Sequence, residues 1–220
     1  MFREIAAYSR SPHFNDRFRS EFRDLLRWRR DVRHFRNDPI PEALVDELLD
    51  LACLAPSVGN AQPWRFVSVD AAENRAAIIA NFAHANERAL AGYQGERAQL
   101  YAGLKLAGLK EAPRHLAVFC DEATAQGAGL GRQTMPETLR YSAVLAVHTL
   151  WLAARVRGLG VGWVSILDPQ AAARKLDVPQ DWTLVAYLCL GWPTEEHDQP
   201  ELQRLGWQAR EAACRQVLQR

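Results

Sequence analysis

Residues 138–166 read TLRYSAVLAVHTLWLAARVRGLGVGWVSI, and the fold class turns on the order of their parts: helix, glycines, strand. Residues 138–157 are apolar on nearly every face, the pattern of a helix buried in a core or in an interface between subunits. Gly158, Gly160 and Gly162 come next, and VGWVSI has strand composition. A dinucleotide-binding loop runs the other way, from strand into helix, so that the helix N-terminus meets the pyrophosphate. The glycines therefore read as a helix C-cap and turn, not as a nucleotide fingerprint. His148, inside the apolar helix, reads as a satisfied core histidine rather than a ligand.

Working outward, helices and strands alternate without a break in composition, so residues 1–220 are expected to form one α/β or α+β domain. A helix is predicted over residues 15–30, with Phe18, Phe22, Leu25, Leu26 and Trp28 as an approximate stripe. A second follows the prolines at 39 and 41 and puts Leu44, Val45, Leu48, Leu49 and Ala52 on one face. PSVGNAQP, at 56–63, is a loop. Strands are expected at WRFVSV, HLAVFC, VGWVSI and WTLVAYLCLG, and an alanine-rich helical region at 72–110 is punctuated by Gly92 and Gly95. Residues 121–136, rich in glycine, read as a flexible surface loop and candidate lid. Residues 1–14 read as a flexible N-terminus, and the polar stretch 193–220 as an extension packing on a partner subunit.

Charge and composition narrow the function. A net charge of +1 calls for neither nucleic acid nor an acidic membrane. The N-terminal residues lack the apolar core of a signal peptide, and no apolar run reaches the ~20 residues that cross a bilayer, so a cytoplasmic location is expected. Cys53, Cys120, Cys189 and Cys214 form no CxxC pair, and the histidines have no ligand spacing, so no metal is expected. No serine sits in a GxSxG elbow. What remains is WRRDVRHF, residues 28–35, where Arg29, Arg30 and Arg33 surround Asp31. Three arginines so close suit an anion, although the carboxylate among them would repel it; the alternative is an exposed helix end with solvated charges.

Arg29-Arg30-Asp31-Val32-Arg33, the loop Pro56-Ser57-Val58-Gly59-Asn60-Ala61-Gln62-Pro63-Trp64, and Leu159-Gly160-Val161-Gly162-Trp163 together resemble the flavin-dependent nitroreductase family. The likeness spans about residues 22–207. It implies an α+β nitroreductase-like fold: a central mixed or antiparallel sheet flanked by helices, with the long apolar helix at a homodimer interface. It also implies bound flavin mononucleotide (FMN), with contacts from Arg29, Arg30, Asp31, Val32, Arg33, Pro56, Ser57, Asn60, Gln62, Ser165, Leu188 and Gly191. Pro56, Ser57, Asn60 and Gln62 would come from the partner subunit, and Arg97 would add a phosphate or lid contact.

Ordinary members carry a small residue where this chain has Asp31. With Ser165, ERAQLYAGLKLAGLKEAP, LGRQTMPETLRYS and QPELQRLGW, that aspartate is similar to a branch with a different reaction. Its members fragment reduced FMN with dioxygen to 5,6-dimethylbenzimidazole and erythrose 4-phosphate, for the lower ligand of cobalamin. The resemblance implies Asp31 and Ser165 as catalytic residues, reduced FMN as substrate, dioxygen as co-substrate and a separate flavin reductase as supplier. Leu139 and Arg140 depart from the branch, which tends to be acidic there. Two alternatives share the fold: an NAD(P)H-dependent nitroreductase or flavin reductase, and a non-catalytic flavin binder.

Overall fold

A four-stranded sheet of order β1-β2-β4-β3 organises the computed structural model, which describes residues 11–211 and 214–220. The strands are β1 (Trp64–Ser68), β2 (Arg114–Asp121), β3 (Gly160–Val164) and β4 (Trp182–Gly191), and every neighbouring pair is antiparallel. β2 and β4 lie inside the sheet and are covered on both faces, which is why HLAVFC and AYLCLG are apolar at nearly every position. Leu116, Val118, Leu188 and Leu190 point to one side. Ala117, Phe119, Tyr187 and Cys189 point to the other, at the period of two that a pleated strand imposes.

The first face is packed by α2 (Glu42–Ala52), through Val45, Leu48 and Ala52, and by α5 (Thr138–Val156), through Val147, Leu150, Trp151 and Ala154. The second face meets α3 (Ala72–Ala91) through Ile78 and α6 (Pro169–Lys175) through Ala172. The alanine-rich region is two helices, since α3 ends at Gly92 and α4 (Gly95–Gly103) begins afresh. Asp168 caps α6, its carboxylate accepting from Gln170 and Ala171 N–H, with Pro169 in the first turn. The short α7 (Glu201–Arg204) was not expected from the sequence; nor was α6.

α5 is buried on one side only within the protomer. Leu139, Ala143, Ala146, Val147, Leu150 and Ala154 recur at helical spacing against the sheet, while Tyr141, Val144, Leu145 and His148 are exposed. His148 is thus not a core histidine: it lies on the outer face, a quarter turn from the buried stripe. α1 (Asp16–Trp28) is capped by Asn15 and lies along α5, yet buries none of its residues. Residues 193–196 lie against their own protomer. Thr194 N–H donates to His34 O at 3.1 Å, and Arg155 pairs with Glu196. Residues 1–10, most of the expected flexible N-terminus, fall outside the described residues. Among those described, no helix is long and apolar enough to cross a membrane.

Candidate functional site

The chain leaving α1 runs along the free edge of β3. Asp31 forms a parallel bridge with Val161, and Val32 N–H donates to Val161 O at 3.0 Å. Glycine makes that approach possible. A Cβ at Gly162 would sit 2.2 Å from Val32 O, and one at Gly160 would meet the Val32 side chain at 2.8 Å. Of the three glycines read as a cap and turn, only Gly158, at φ +75°, caps α5; Gly160 and Gly162 belong to β3. They are there because a second backbone must lie against the strand.

This docking turns Asp31 inward. Its Oδ1 accepts from Trp163 N–H and its Oδ2 from Arg33 Nε, both at 2.9 Å. Burial raises the carboxyl above its usual range, against the opposing pull of Arg33 and of the Trp163 N–H, with Glu201 adding to the rise. Val32 faces the core as Asp31 faces the strand backbone, so the carboxylate is kept apart from the outer arginines.

Among the described residues Arg29 and Arg30 have no ion-pair partner within 4 Å, whereas Arg33 is paired with Asp31. Arg29 lies over the Trp151 ring at 4.8 Å. Burial lowers its pKa, Asp31 opposes that, and Arg210 adds to it. Arg30 is lowered by burial first, then by Arg29 and Arg210, and its Nε is buried without a partner. Arg33 gives Nη1 to Lys105 O at 3.0 Å. A cavity of about 260 Å³ is lined by Arg29, Arg30, Asp31, Arg33, Glu201 and Arg210 among others. Crowded, partly desolvated guanidiniums around an open space fit a phosphate, which would relieve the repulsion. Sequence reasoning did not find Arg210 or Glu201. Glu201 lies in QPELQRLGW, which was read for resemblance and not for a site, Arg210 lies beyond it with no local motif, and only the chain's return to the arginine segment joins them to it.

The remaining candidates stand apart from this cavity. The loop of Pro56, Ser57, Asn60 and Gln62 is tied down by Ser57 Oγ, which accepts from Gln62 N–H, and by Ser142 Oγ, which accepts from Val58 N–H, both at 3.0 Å. Asn60 (φ +55°) and Gln62 (φ +46°) occupy the left-handed region that non-glycine residues avoid, a strain that functional loops often carry. Gly59 and Gly127 press this loop against residues 126–131: a Cβ at Gly127 would meet Gly59 O at 2.6 Å. The expected flexible lid is therefore seated on the Asn60 loop. Neither segment lines the arginine cavity of its own protomer. Ser165 is exposed just past the end of β3. Leu188 is wholly buried in the core, and the room at Gly191 is taken by Phe35 and Pro113. Arg97 stacks over Trp207 at 3.9 Å. Leu139, in the first turn of α5, is buried in the core beside Trp64 and Cys120, and Arg140 pairs with Glu122.

The sheet, the glycine-bedded arginine segment and the phosphate-fitting cavity define a flavin-binding α+β protein. The model of the nitroreductase family matches residues 26–192, and the chain belongs to that family. A 5,6-dimethylbenzimidazole synthase of Rhodospirillum rubrum is 63% identical over 199 residues, covering 90% of this chain and 94% of the relative. A protein of the same name from Rhodobacter capsulatus is 52% identical over 196 residues, covering 89% and 95%. Among solved structures, oxidised iodotyrosine deiodinase bound to FMN and 3-iodo-L-tyrosine aligns with a TM-score of 0.67 and 27% identity, over 80% of this chain and 91% of that one.

Proposed function

We propose that the chain is a 5,6-dimethylbenzimidazole synthase, which uses dioxygen to fragment reduced FMN into 5,6-dimethylbenzimidazole and erythrose 4-phosphate. The observation that carries this reading is Asp31: a part-buried carboxylate, held by two donors at the edge of the arginine cavity, where the family's reductases have a small neutral residue. Its close relatives bear the same name as the activity proposed.

FMN fits as substrate. Arg29, Arg30, Arg33 and Arg210 would hold its phosphate, while Val32, Leu188 and Gly191, which do not line the cavity, would act only through the backbone and core behind the arginine segment. Pro56, Ser57, Asn60 and Gln62 would reach the ring from a second copy of the chain, and Arg97 would act at the rim. When bound and reduced, the flavin supplies the electrons that dioxygen accepts. Asp31 takes and returns a proton at its carboxylate oxygens; a carboxyl lifted by burial is closer to the working pH and so better suited to both directions. Ser165 offers a hydroxyl hydrogen bond near the same strand end, and closure of the partner's loop excludes water. The working unit is a homodimer in the cytoplasm, without a metal, fed with reduced flavin by a separate reductase.

Family membership alone favours a second reading, an NAD(P)H-dependent nitroreductase or flavin reductase. A negative charge at Asp31 argues against it, because it opposes the flavin anion that hydride transfer generates. Mixing the protein with reduced FMN in air separates the two. The synthase removes flavin absorbance for good and releases 5,6-dimethylbenzimidazole by mass; full recovery of oxidised FMN overturns the proposal.

A further inference from the structure

We propose that Trp207 is a positioning residue for the phosphate end of the site: packed on Tyr93, Tyr101 and Arg97, it holds the C-terminal strap so that Arg210 reaches the arginine segment. The inference rests on reading that cavity as the FMN phosphate site.

The strap is fastened at two places. His34 Nε2 and Glu201 Oε1 lie 3.2 Å apart at the start of α7. The helix ends at Arg204, and Gly206 beyond it, with φ +76°, lets Trp207 N–H donate back to Leu202 O at 2.8 Å. That turn drives the indole into an aromatic nest. Tyr93 and Tyr101 stack at 4.9 Å, and Trp207 meets them edge-on at 5.5 and 6.0 Å. The Arg97 guanidinium covers the indole at 3.9 Å. Tyr101 in turn donates to Asn86 Oδ1 at 2.8 Å, which ties the nest to α3. Aromatic and guanidinium stacking of this kind holds geometry as well as area.

Arg210 lies three residues beyond this anchor and nine beyond the Glu201 anchor. Without the indole, the chain that delivers Arg210 regains backbone freedom, which a bound phosphate must remove again. Arg97, expected to touch phosphate or lid, acts in this arrangement through Trp207.

The test compares oxidised FMN with riboflavin, which has the same ring and no phosphate, by quenching of flavin fluorescence. Trp207→Ala should weaken FMN about tenfold, the loss of one charge-assisted contact, and leave riboflavin unchanged. Trp207→Phe should restore most of the affinity. Trp207→Ala combined with Arg210→Ala should bind FMN no worse than Arg210→Ala alone. Parent-like FMN affinity in Trp207→Ala, equal loss for both flavins, or additive losses in the double variant would each overturn the role. Arg33→Ala separates the two levels. If it too weakens both flavins alike, the phosphate reading falls and takes this inference with it. If it is selective for FMN while Trp207→Ala is not, only the inference falls.

Discussion

At Asp31, binding and chemistry can be separated by one atom. Asp31→Asn keeps an acceptor for Trp163 N–H but removes the basic oxygen and the charge that faces Arg33. FMN affinity should stay near that of the parent while product per flavin consumed falls by ~10²–10⁴, the usual cost of a lost general base. Parent yield in Asp31→Asn would make the aspartate a counter-charge only. Arg33→Ala should do the reverse and weaken FMN ten- to a hundredfold, as loss of a charge-assisted contact does. Another single residue carries a pH signature remote from the site. His115 is wholly buried with Nδ1 3.0 Å from the Tyr187 hydroxyl, and burial, then the Arg75 charge, push it from 6.5 down to about 4. The unfolded chain therefore takes up this proton first. Stability is complete above pH 6.5 and is lost as pH falls towards 4, by at most about 3 kcal/mol. Melting temperatures of His115→Gln should fall less than the parent's between pH 7 and 4.5; equal falls would assign acid sensitivity elsewhere.

Among the elements, β3 sets the active geometry by what its glycines omit. Gly162→Ala places a methyl group on Val32 O and must push the arginine segment off the strand, breaking the Asp31–Trp163 hydrogen bond. The cost should be at least 1–3 kcal/mol by urea melt, together with weaker FMN binding. Gly103→Ala, where a Cβ meets nothing within 4 Å at the end of α4, is the control and should be neutral or slightly stabilising. If both variants melt alike, close docking on β3 does not shape the site. The order helix–glycine–strand was legible in residues 138–166, as were the four strands, because apolar runs and breakers are local signals. The purpose of Gly160 and Gly162 was not: it depends on Val32, over a hundred residues away. Arg210, and the site role of Glu201 within QPELQRLGW, were hidden for the same reason, since a cavity is assembled by the return of the chain and leaves no spacing to read. The motif residues Arg29 to Arg33 could be read together because they are neighbours in sequence.

For the molecule as a whole, two features of the protomer call for a second copy. Phe14, just ahead of α1, and Phe18, Phe22 and Leu26 along it remain 41–51% exposed, and Tyr141, Val144 and Leu145 leave an apolar outer face on α5, the helix that α1 contacts. A continuous apolar face of that kind on two adjacent helices marks an interface. The Asn60–Gln62 loop, meanwhile, holds a strained conformation yet lines no part of its own arginine cavity. The apolar character of residues 138–157 was plain in the sequence; which half of the helix serves the core and which an interface follows only from the sheet's position. A homodimer that buries α1 and the outer face of α5, and lends each loop to the other cavity, accounts for both features. Sedimentation should give a dimer, and melting should shift upward with protein concentration, because separating such protomers accompanies unfolding. Leu145→Asp or Phe18→Asp, placing a charge in that interface, should dissociate the dimer. Each should also lose FMN affinity, although neither side chain lines the arginine cavity. A folded monomer that still binds FMN as tightly as the parent would show that each chain completes its own site, and the loop's strain would then need another cause.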